Sequence, residues 1–257
     1  HIFMTPEQIQ DEILGVLQLE ERIYKTFGLG FNLELSTRPE KSIGTDAQWE
    51  VATKGLEAAL ETYGKPYKVN EGDGAFYGPK IDFHIKDALG RTWQCGTVQL
   101  DMSLPERFDL FYIDKDNEKR RPIMIHRTVY GSIERFFGIL IEHFAGKFPL
   151  WMAPVQAVIL PINDDFAPYA NDVRIKFEIA GVRTEVDSRT ESLNKKVRDA
   201  QLDKIPLILT VGKKEKESGN LSVRTLDGKV RFGVTHQVFL DTVLSHISQR
   251  KLDLEIF

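Results

Sequence analysis

The chain has 257 residues, of which 42% are hydrophobic and 28% charged, and its formal net charge is -4. That length suffices for two domains, and no apolar run approaches the roughly 20 residues that a membrane-spanning helix needs. The acidic balance argues against a generally cationic nucleic-acid binder, and the single cysteine excludes an internal disulfide and favours a reducing, cytoplasmic location.

The first part of the chain alternates helical patterns with strands of period two. Thr5-Pro6-Glu7-Gln8 has the signature of a helix start, with a capping threonine, proline at the first position and glutamine closing the box. Gly28 ends this helix, and the alternation in residues 31–36 predicts a half-buried strand. The residues expected to form the buried stripe of the helix are Ile9, Ile13, Val16 and Leu17.

A second helix and a pair of strands come next. Asp46 opens the helix and Tyr63-Gly64 ends it. Its inward residues are predicted to be Trp49, Ala52, Leu56 and Leu60. Residues 81–85 and 92–100 alternate with period two across a short turn, which predicts an antiparallel pair. Residues 114–121 are interpreted as a solvated turn. Helices inserted between antiparallel strands predict an α+β domain.

The run from Pro122 to Phe144 combines a strand, a glycine and a helix start. Residues 122–125 are typical of a short apolar strand closed by His126, and a helix is predicted after Gly131. Its apolar residues at helical spacing are Ile133, Phe136, Phe137, Leu140, Ile141 and Phe144. Arg135 falls in the first turn, where the helix N-terminus disfavours a cation, so its position calls for an anionic ligand or a carboxylate partner. The alternative is an ordinary helix start with a solvated Glu134–Arg135 pair.

A different order of predicted strands and helices begins after a linker at residues 151–154. Short apolar or alternating strands are predicted at residues 156–162, 183–187 and 206–212, separated by helical patterns at residues 169–179 and 193–202. This order predicts a largely parallel sheet covered on both faces. A hairpin over residues 221–232 with a type I′ turn at Asp227-Gly228, and a helix over residues 238–247, complete the α/β part. Acidic and basic residues nearly balance after Ala153, whereas acidic ones prevail before it, which makes the rear the more plausible RNA-facing part.

Three segments together resemble threonyl-tRNA synthetase, a class II aminoacyl-tRNA synthetase family. They are Glu71 to Phe83, Trp93 to Asp101, and Gly131-Ser132-Ile133-Glu134-Arg135, which corresponds to motif 3 of the family. The resemblance covers essentially the whole chain, although motif 1 and most of motif 2 have no counterpart in this sequence. It implies an incomplete class II catalytic domain with an α+β antiparallel sheet at residues 1–152, and an α/β mixed-sheet anticodon-binding domain at residues 153–257.

The resemblance implies a threonine–tRNA ligase, an enzyme of protein biosynthesis that activates L-threonine with ATP and Mg²⁺ and transfers it to tRNA(Thr). The family acts as a homodimer. Arg135, Lys80 and Gln94 match catalytic positions, and Arg135 would clamp ATP. The positions that match its ATP and threonine pockets are Tyr77, Lys80, Gln94, Gln99, Ser132, Glu134 and Arg135. Glycines in residues 72–78 are expected to bring backbone close to a ligand, because glycine allows positive φ and close approach.

Zinc is the second cofactor that the resemblance implies. Spacing alone would pair Cys95 with His126. In the family, however, His126 and His1 match the two histidine ligands, the ligand cysteine belongs to a segment preceding His1, and Cys95 matches a different cysteine. A zinc ion that binds the threonine hydroxyl would allow rejection of valine, which an apolar pocket cannot separate strongly from its isostere.

In the rear part, Glu215, Arg224 and Arg189 match positions by which the family reads anticodon bases. Alone, Glu215 would be read as part of a solvated charged turn and Arg224 as an exposed arginine at a strand edge. Where the family commonly has asparagine, this chain has Thr190, whose hydroxyl can replace only one of the amide's hydrogen bonds.

A catalytically inactive paralogue that binds RNA or protein is the alternative function. Five matching residues favour the enzyme, since a pure binder has no need for all of them: Arg135, Lys80, Gln94, Gln99 and His126.

Overall fold

The computed structural model describes all residues from 1 to 257. They form two compact units, His1–Leu140 and Ile141–Phe257, each with its own sheet. No helix combines the length and the apolar character needed to cross a membrane. The division between the units falls inside a helix, whereas the sequence predicts a domain boundary after residue 152, and that boundary stays a prediction.

The first unit contains eight strands and four helices. The strands are β1 Ile2–Met4, β2 Phe31–Ser36, β3 Tyr67–Asn70, β4 Lys80–Lys86, β5 Thr92–Asp101, β6 Tyr112–Ile113, β7 Lys119–Arg120 and β8 Ile123–Thr128. The helices are α1 Ile9–Thr26, α2 Asp46–Tyr63, α3 Ser103–Arg107 and α4 Ile133–His143, the last of which continues past the unit boundary. Six strands form one sheet in the order β1-β8-β5-β4-β2-β3, in which only β2 and β3 pair in parallel.

The two long helices form where their caps and stripes predict them. The capping box at Thr5 first closes a short 3₁₀ turn, Pro6–Gln8, with the Thr5 N–H donating to Gln8 Oε1 at 2.9 Å, and α1 follows. Gly64 ends α2 with a φ of 77°. Every residue of both predicted stripes is buried, and the stripe of α1 continues through Glu20 and Tyr24.

One expectation for the first unit is wrong in part. The segment at residues 114–121 is no solvated turn throughout, because β6 and β7 pair as a small hairpin. The short strand β3 was not predicted, although its residues alternate between apolar and polar. The predicted helix α4 forms, but only Phe136, Ile139 and Leu140 of it are buried, while Ile133 and Phe137 are 68% and 59% exposed.

The second unit is a three-layer α/β fold. Its strands are β9 Ala157–Pro161, β10 Thr184–Val186, β11 Leu207–Val211, β12 Asn220–Thr225 and β13 Val230–Thr235. Its helices are α5 Ala167–Ile179, α6 Leu193–Leu202, α7 Lys213–Ser218 and α8 His236–Ser248, and a 3₁₀ turn spans Asp164–Phe166. The sheet order is β10-β9-β11-β12-β13, parallel over the first three strands and antiparallel beyond them. The main core joins the sheet to α5 and α8, and a smaller cluster on the other face joins β9 and β11 to α6.

The β12–β13 turn differs from its prediction. A type I′ turn needs positive φ at both central residues, but only Gly228, at 88°, has it. The Gly228 N–H donates to Thr225 O at 2.9 Å and the Thr225 N–H to Lys229 O at 3.0 Å. The turn is therefore one residue longer than a type I′ turn, with the glycine in the left-handed position.

Two glycines of the first unit should respond oppositely to alanine. A Cβ at Gly78 would lie 1.8 Å from the Leu100 carbonyl oxygen, whereas one at Gly138, on the exposed face of α4, meets nothing within 4 Å. We expect Gly78→Ala to lower the free energy of unfolding by about 1–3 kcal/mol through backbone displacement. Gly138→Ala should raise it by up to about 1 kcal/mol. Urea unfolding of both variants is the measurement, and equal effects would contradict the packing at Gly78.

Candidate active site

Three predicted site residues form one row across the middle of the first sheet. The register sets Lys80 of β4 opposite Gln99 of β5, and Gln99 opposite His126 of β8. Because directly opposed residues in antiparallel strands project from the same face, the three side chains line one face of the sheet. The sheet register, rather than nearness in sequence, brings them together.

A buried carboxylate that was not predicted as a site residue organises this row. Asp82 is 1% exposed; its Oδ2 lies 2.7 Å from Lys80 Nζ, and its Oδ1 accepts from Gln94 Nε2 at 2.6 Å. Burial alone would lower the pKa of Lys80, but the hydrogen bond and the charge of Asp82 outweigh burial and raise it. Lys80 is therefore a fixed cation. The second contact of Lys80, to the exposed Asp73, is longer at 3.3 Å. The two-residue spacing of Lys80 and Asp82 on one strand was the signal that could have identified Asp82.

Tyr77 closes one side of the row. Its hydroxyl donates a short hydrogen bond to Gln99 Oε1, and its ring centroid lies 5.3 Å from that of His126. Burial is the main cause that raises the pKa of Tyr77, so the phenol stays a donor. Tyr77, Gln99 and His126 thus form one group, as the resemblance implies.

The glycines before β4 act differently from the expectation. Gly72 has a φ of 78°, but Gly74 and Gly78 do not have positive φ. A Cβ at Gly74 would lie 2.5 Å from Thr37 O, and one at Gly78 would strike Leu100 O. These two glycines allow close approach between chain segments, which fixes the position of Tyr77.

A second buried carboxylate orients His126. Asp101 is fully buried, and its Oδ2 lies 2.8 Å from His126 Nε2. Its Oδ1 accepts from the backbone N–H groups of Ser103 and Leu104, at 2.7 and 3.0 Å, which begin α3. Since an ionised carboxylate only accepts, Nε2 carries the imidazole proton and Nδ1 keeps its lone pair.

His1 is the other predicted metal ligand. Its ring packs edge-on against His126, with centroids 4.8 Å apart, so two imidazoles lie close enough to share one ion. No group of three or more His, Cys, Asp or Glu residues is arranged to hold a metal. The pair therefore fits two of the three protein ligands that an open zinc site uses, and a third is not found among residues 1–257.

Arg135 lies on the first turn of α4. A Cβ at Gly131 would lie 2.8 Å from the Cys95 carbonyl and 3.1 Å from Arg135 Nη2, so the loop sets the start of α4 against β5. Ser132 Oγ accepts from the Arg135 N–H at 3.3 Å and donates to Glu134 Oε2 at 2.8 Å. The exposed Arg135 guanidinium has no carboxylate within ion-pair distance, which removes one of the two reasons expected for its position.

Cys95 lies in different surroundings from His126. Burial raises the pKa of its thiol, partly offset by the charge of Arg135. Its neighbours include Glu20 of α1, which is fully buried. Burial raises the pKa of Glu20 to about 9. Tyr24 donates its hydroxyl proton to Val129 O at 2.6 Å, and its hydroxyl oxygen also lies 3.4 Å from Glu20 Oε2.

In the second unit, Glu215 and Arg224 come together while Arg189 does not join them. Glu215 lies in the first turn of α7; its oxygens accept from the Gly212 N–H at 3.1 Å and from Ser222 Oγ at 2.8 Å. Arg224 follows Ser222 by two residues on β12 and so shares its face. β12 is an interior strand, not the edge that was expected. Arg189 follows β10, three strands away from β12 in the sheet, and its guanidinium lies 2.7 Å from Asp187 and 3.0 Å from Asp199.

Comparison with known proteins agrees with both units. Residues 1–144 match the family described as the tRNA synthetase class II core domain (G, H, P, S and T), and residues 156–247 match the anticodon binding domain family. A threonine–tRNA ligase from Desulfosudis oleivorans is 74% identical over 97% of this chain and 39% of its own length. One from Desulforapulum autotrophicum is 72% identical over 100% and 40%.

A solved structure gives the same result for the fold. The crystal structure of the RNA binding domain of threonyl-tRNA synthetase from Cryptosporidium parvum matches with a TM-score of 0.86 and 39% identity, over 95% of this chain and 62% of that chain. The predicted fold class and the resemblance are confirmed. The chain spans about two fifths of the length of the curated relatives.

Replacing Asp101 should change the tautomer of His126. In Asp101→Asn the amide oxygen can still cap α3, but the amide nitrogen then faces Nε2 and can only donate. We expect the imidazole proton to move to Nδ1, detected by nitrogen-15 NMR at a pH where the ring is neutral. Asp116→Asn, in an exposed loop, serves as the control. An unchanged Nε2–H tautomer in Asp101→Asn would contradict the assigned role of Asp101.

Glu20 should make the stability of the protein fall with rising pH. The folded-state pKa of about 9 exceeds the unfolded value of 4.5, so between them the folded state holds a proton that the unfolded chain has lost. We expect the stability gain of Glu20→Gln over the wild type to grow by about 1.4 kcal/mol per pH unit in this window. Urea unfolding at pH 6 and pH 8 measures it, with the exposed Glu61→Gln as control. A gain that does not change with pH would show that Glu20 is ionised when folded.

Proposed function

Because the chain belongs to the tRNA synthetase class II core family and also carries an anticodon-binding domain, we propose that it takes part in the ATP-dependent activation of L-threonine and its transfer to tRNA(Thr). The observation that carries this proposal is the buried carboxylate of Asp82, which holds Lys80 and Gln94 in one sheet with Gln99 and His126. A structural protein has no use for a preorganised cation and amide on a half-open sheet face.

Activation develops negative charge on the α-phosphate of ATP when the threonine carboxylate attacks it. Fixed cations aimed at that charge lower the barrier without reorganising. Lys80 is such a cation, held from beneath by Asp82 and from the exposed side by Asp73. We expect Asp73 rather than Asp82 to yield its contact to a phosphate, because the Asp73 side chain is 59% exposed and the Asp82 side chain is 1% exposed.

Arg135 supplies the second cation in this proposal. Its guanidinium is exposed and free of carboxylates, and it sits on a helix N-terminus whose N–H groups also favour an anion. The absence of a protein partner supports a phosphate ligand, with Mg²⁺ neutralising the remaining phosphate charge. Ser132 and Glu134 then shape the first turn that presents Arg135.

Threonine selection is proposed to involve zinc held by His1, His126 through Nδ1, and a third ligand outside residues 1–257. A bound zinc ion would act there as a Lewis acid for the amino and hydroxyl groups of threonine. Asp101 fixes the ring of His126 in the tautomer that leaves Nδ1 open. Tyr77 and Gln99, which share a hydrogen bond beside His126, would line the same pocket.

Recognition of tRNA is proposed for the second unit. Glu215 retains free lone pairs and Arg224 donates to a single protein acceptor, Gly228 O at 3.1 Å, so both have capacity for base edges. Arg189 would have to give up two carboxylates to act in the same way. The homodimeric state and the cytoplasmic location stay predictions, and no observation favours the inactive paralogue.

Arg135→Ala tests the proposed role in activation. We expect threonine-dependent ATP–pyrophosphate exchange by the full-length polypeptide to fall on the order of 100- to 1000-fold, because a charge-stabilising group is removed from the reacting phosphate. The fold should remain intact, since Arg135 is exposed. Arg22→Ala, which removes an exposed arginine of α1, is the matched control. Near-normal exchange by Arg135→Ala would reject the assignment.

A further inference from the structure

Phe232 of β13 is an aromatic ring that no part of the fold uses. Its side chain is 75% exposed, and it is the one exposed aromatic residue of the second unit. It belongs neither to the main core nor to the partly buried residues packed against that core. An exposed apolar ring on an edge strand invites unwanted strand pairing, so its position requires a reason other than packing.

The register of β13 shows which face of the sheet the ring occupies. Val230 lies opposite Arg224 of β12, so these two residues share a face. Phe232 follows Val230 by two residues and returns to that face. The core lies on the other face, where Leu221 and Val234 are paired and buried.

A bulge holds the ring in place. The pairing of β12 and β13 shifts between Leu221 and Val223, which leaves Phe232 and Gly233 together opposite Ser222. Gly233 has a φ of 70°, a conformation that glycine adopts readily. Bulges of this kind re-aim a side chain, so the ring is presented by a built feature of the strand.

Three chemically different groups therefore share this face: the carboxylate of Glu215 beside Ser222, the guanidinium of Arg224 and the ring of Phe232. Proteins recognise the unstacked bases of single-stranded loops by hydrogen bonds to base edges and by stacking on aromatic rings. This set fits an RNA loop better than an apolar protein surface.

We propose that Phe232 is a stacking platform for one unpaired base of the tRNA anticodon loop, next to the bases whose edges Glu215 and Arg224 contact. This inference rests on the proposed function, because it needs tRNA at the second unit. It adds a contact that depends on the π-face of the ring and not on hydrogen bonding. The contact is therefore tolerant of base identity and strengthens binding rather than reading sequence.

The test compares affinities of the full-length polypeptide for tRNA(Thr) transcript and for its anticodon stem-loop at one fixed salt concentration. Phe232→Ala should weaken binding roughly 5- to 150-fold, and Phe232→Trp should retain it, because a larger ring still stacks. Phe232→Leu should bind as weakly as Phe232→Ala. Ile179→Ala is the matched control, since Ile179 is an 83% exposed apolar residue of the same unit. Thermal unfolding checks that each variant is folded.

Four outcomes would overturn the inference. If Phe232→Ala binds tRNA as tightly as the wild type while Arg224→Ala binds it more weakly, Phe232 does not stack on a base, and the proposed anticodon site is retained. If both variants bind tRNA as tightly as the wild type, the proposed anticodon site on this face is rejected as well. Wild-type affinity in Phe232→Leu makes the contact apolar rather than stacking. If Phe232→Ala keeps its tRNA affinity but lowers the oligomeric mass by light scattering, the ring belongs to a protein interface.

Discussion

A single buried carboxylate, that of Asp82, accepts from the amine of Lys80 at 2.7 Å and from the amide of Gln94 at 2.6 Å. A charge removed from water must be paired and hydrogen-bonded, and deleting one partner of such a pair typically costs about 3–5 kcal/mol. The need to satisfy Asp82 therefore fixes a lysine and a glutamine from two strands at one place. The hydroxyl of Ser36 on β2 donates a third, longer hydrogen bond to Asp82 at 3.4 Å, which links the neighbouring strand to the same carboxylate.

A second buried carboxylate plays the same part at the His126 end of the row formed by Lys80, Gln99 and His126. Asp101 is as fully buried as a carboxylate can be, and it divides its oxygens between His126 and the backbone that begins α3. One oxygen thus stabilises local structure while the other orients a side chain of the site. Both carboxylates are buried, where solvent screening is weak, and the side chains they hold are the ones proposed to contact substrate. The polar face of this sheet is consequently preorganised without any ligand.

Sequence patterns predicted the elements of the fold far better than they predicted the site. Caps and periodicity identified α1 and α2, because helix ends and apolar stripes are local properties. Motif matching identified Lys80 and Gln94, but the role of Asp82 depends on a register that shifts between Asp82 and His84. A bulge of that kind has no local signature. Helical spacing predicted α4 correctly, but it shows which residues are aligned and not what covers them, so the exposure of Ile133 and Phe137 could not be predicted.

The two faces of the mixed sheet in the second unit carry different kinds of residues. The main core of this unit lies on the face of the sheet covered by α5 and α8. On the other face, the end formed by β12 and β13 carries Glu215, Arg224 and the exposed ring of Phe232. Charge follows this division, because Arg189 is neutralised by two carboxylates while Arg224 keeps most of its donors. The family resemblance grouped these two arginines, and the strand order separates them.

The most direct test of the account is ATP–pyrophosphate exchange by the full-length polypeptide with each of the twenty amino acids supplied in turn. The arrangement of Lys80, Gln94, Gln99 and His126 around two buried carboxylates predicts exchange with threonine, weaker exchange with serine and none above background with valine, because a site that binds a hydroxyl rejects its isostere. Exchange with valine equal to that with threonine, or no exchange with threonine, would contradict it.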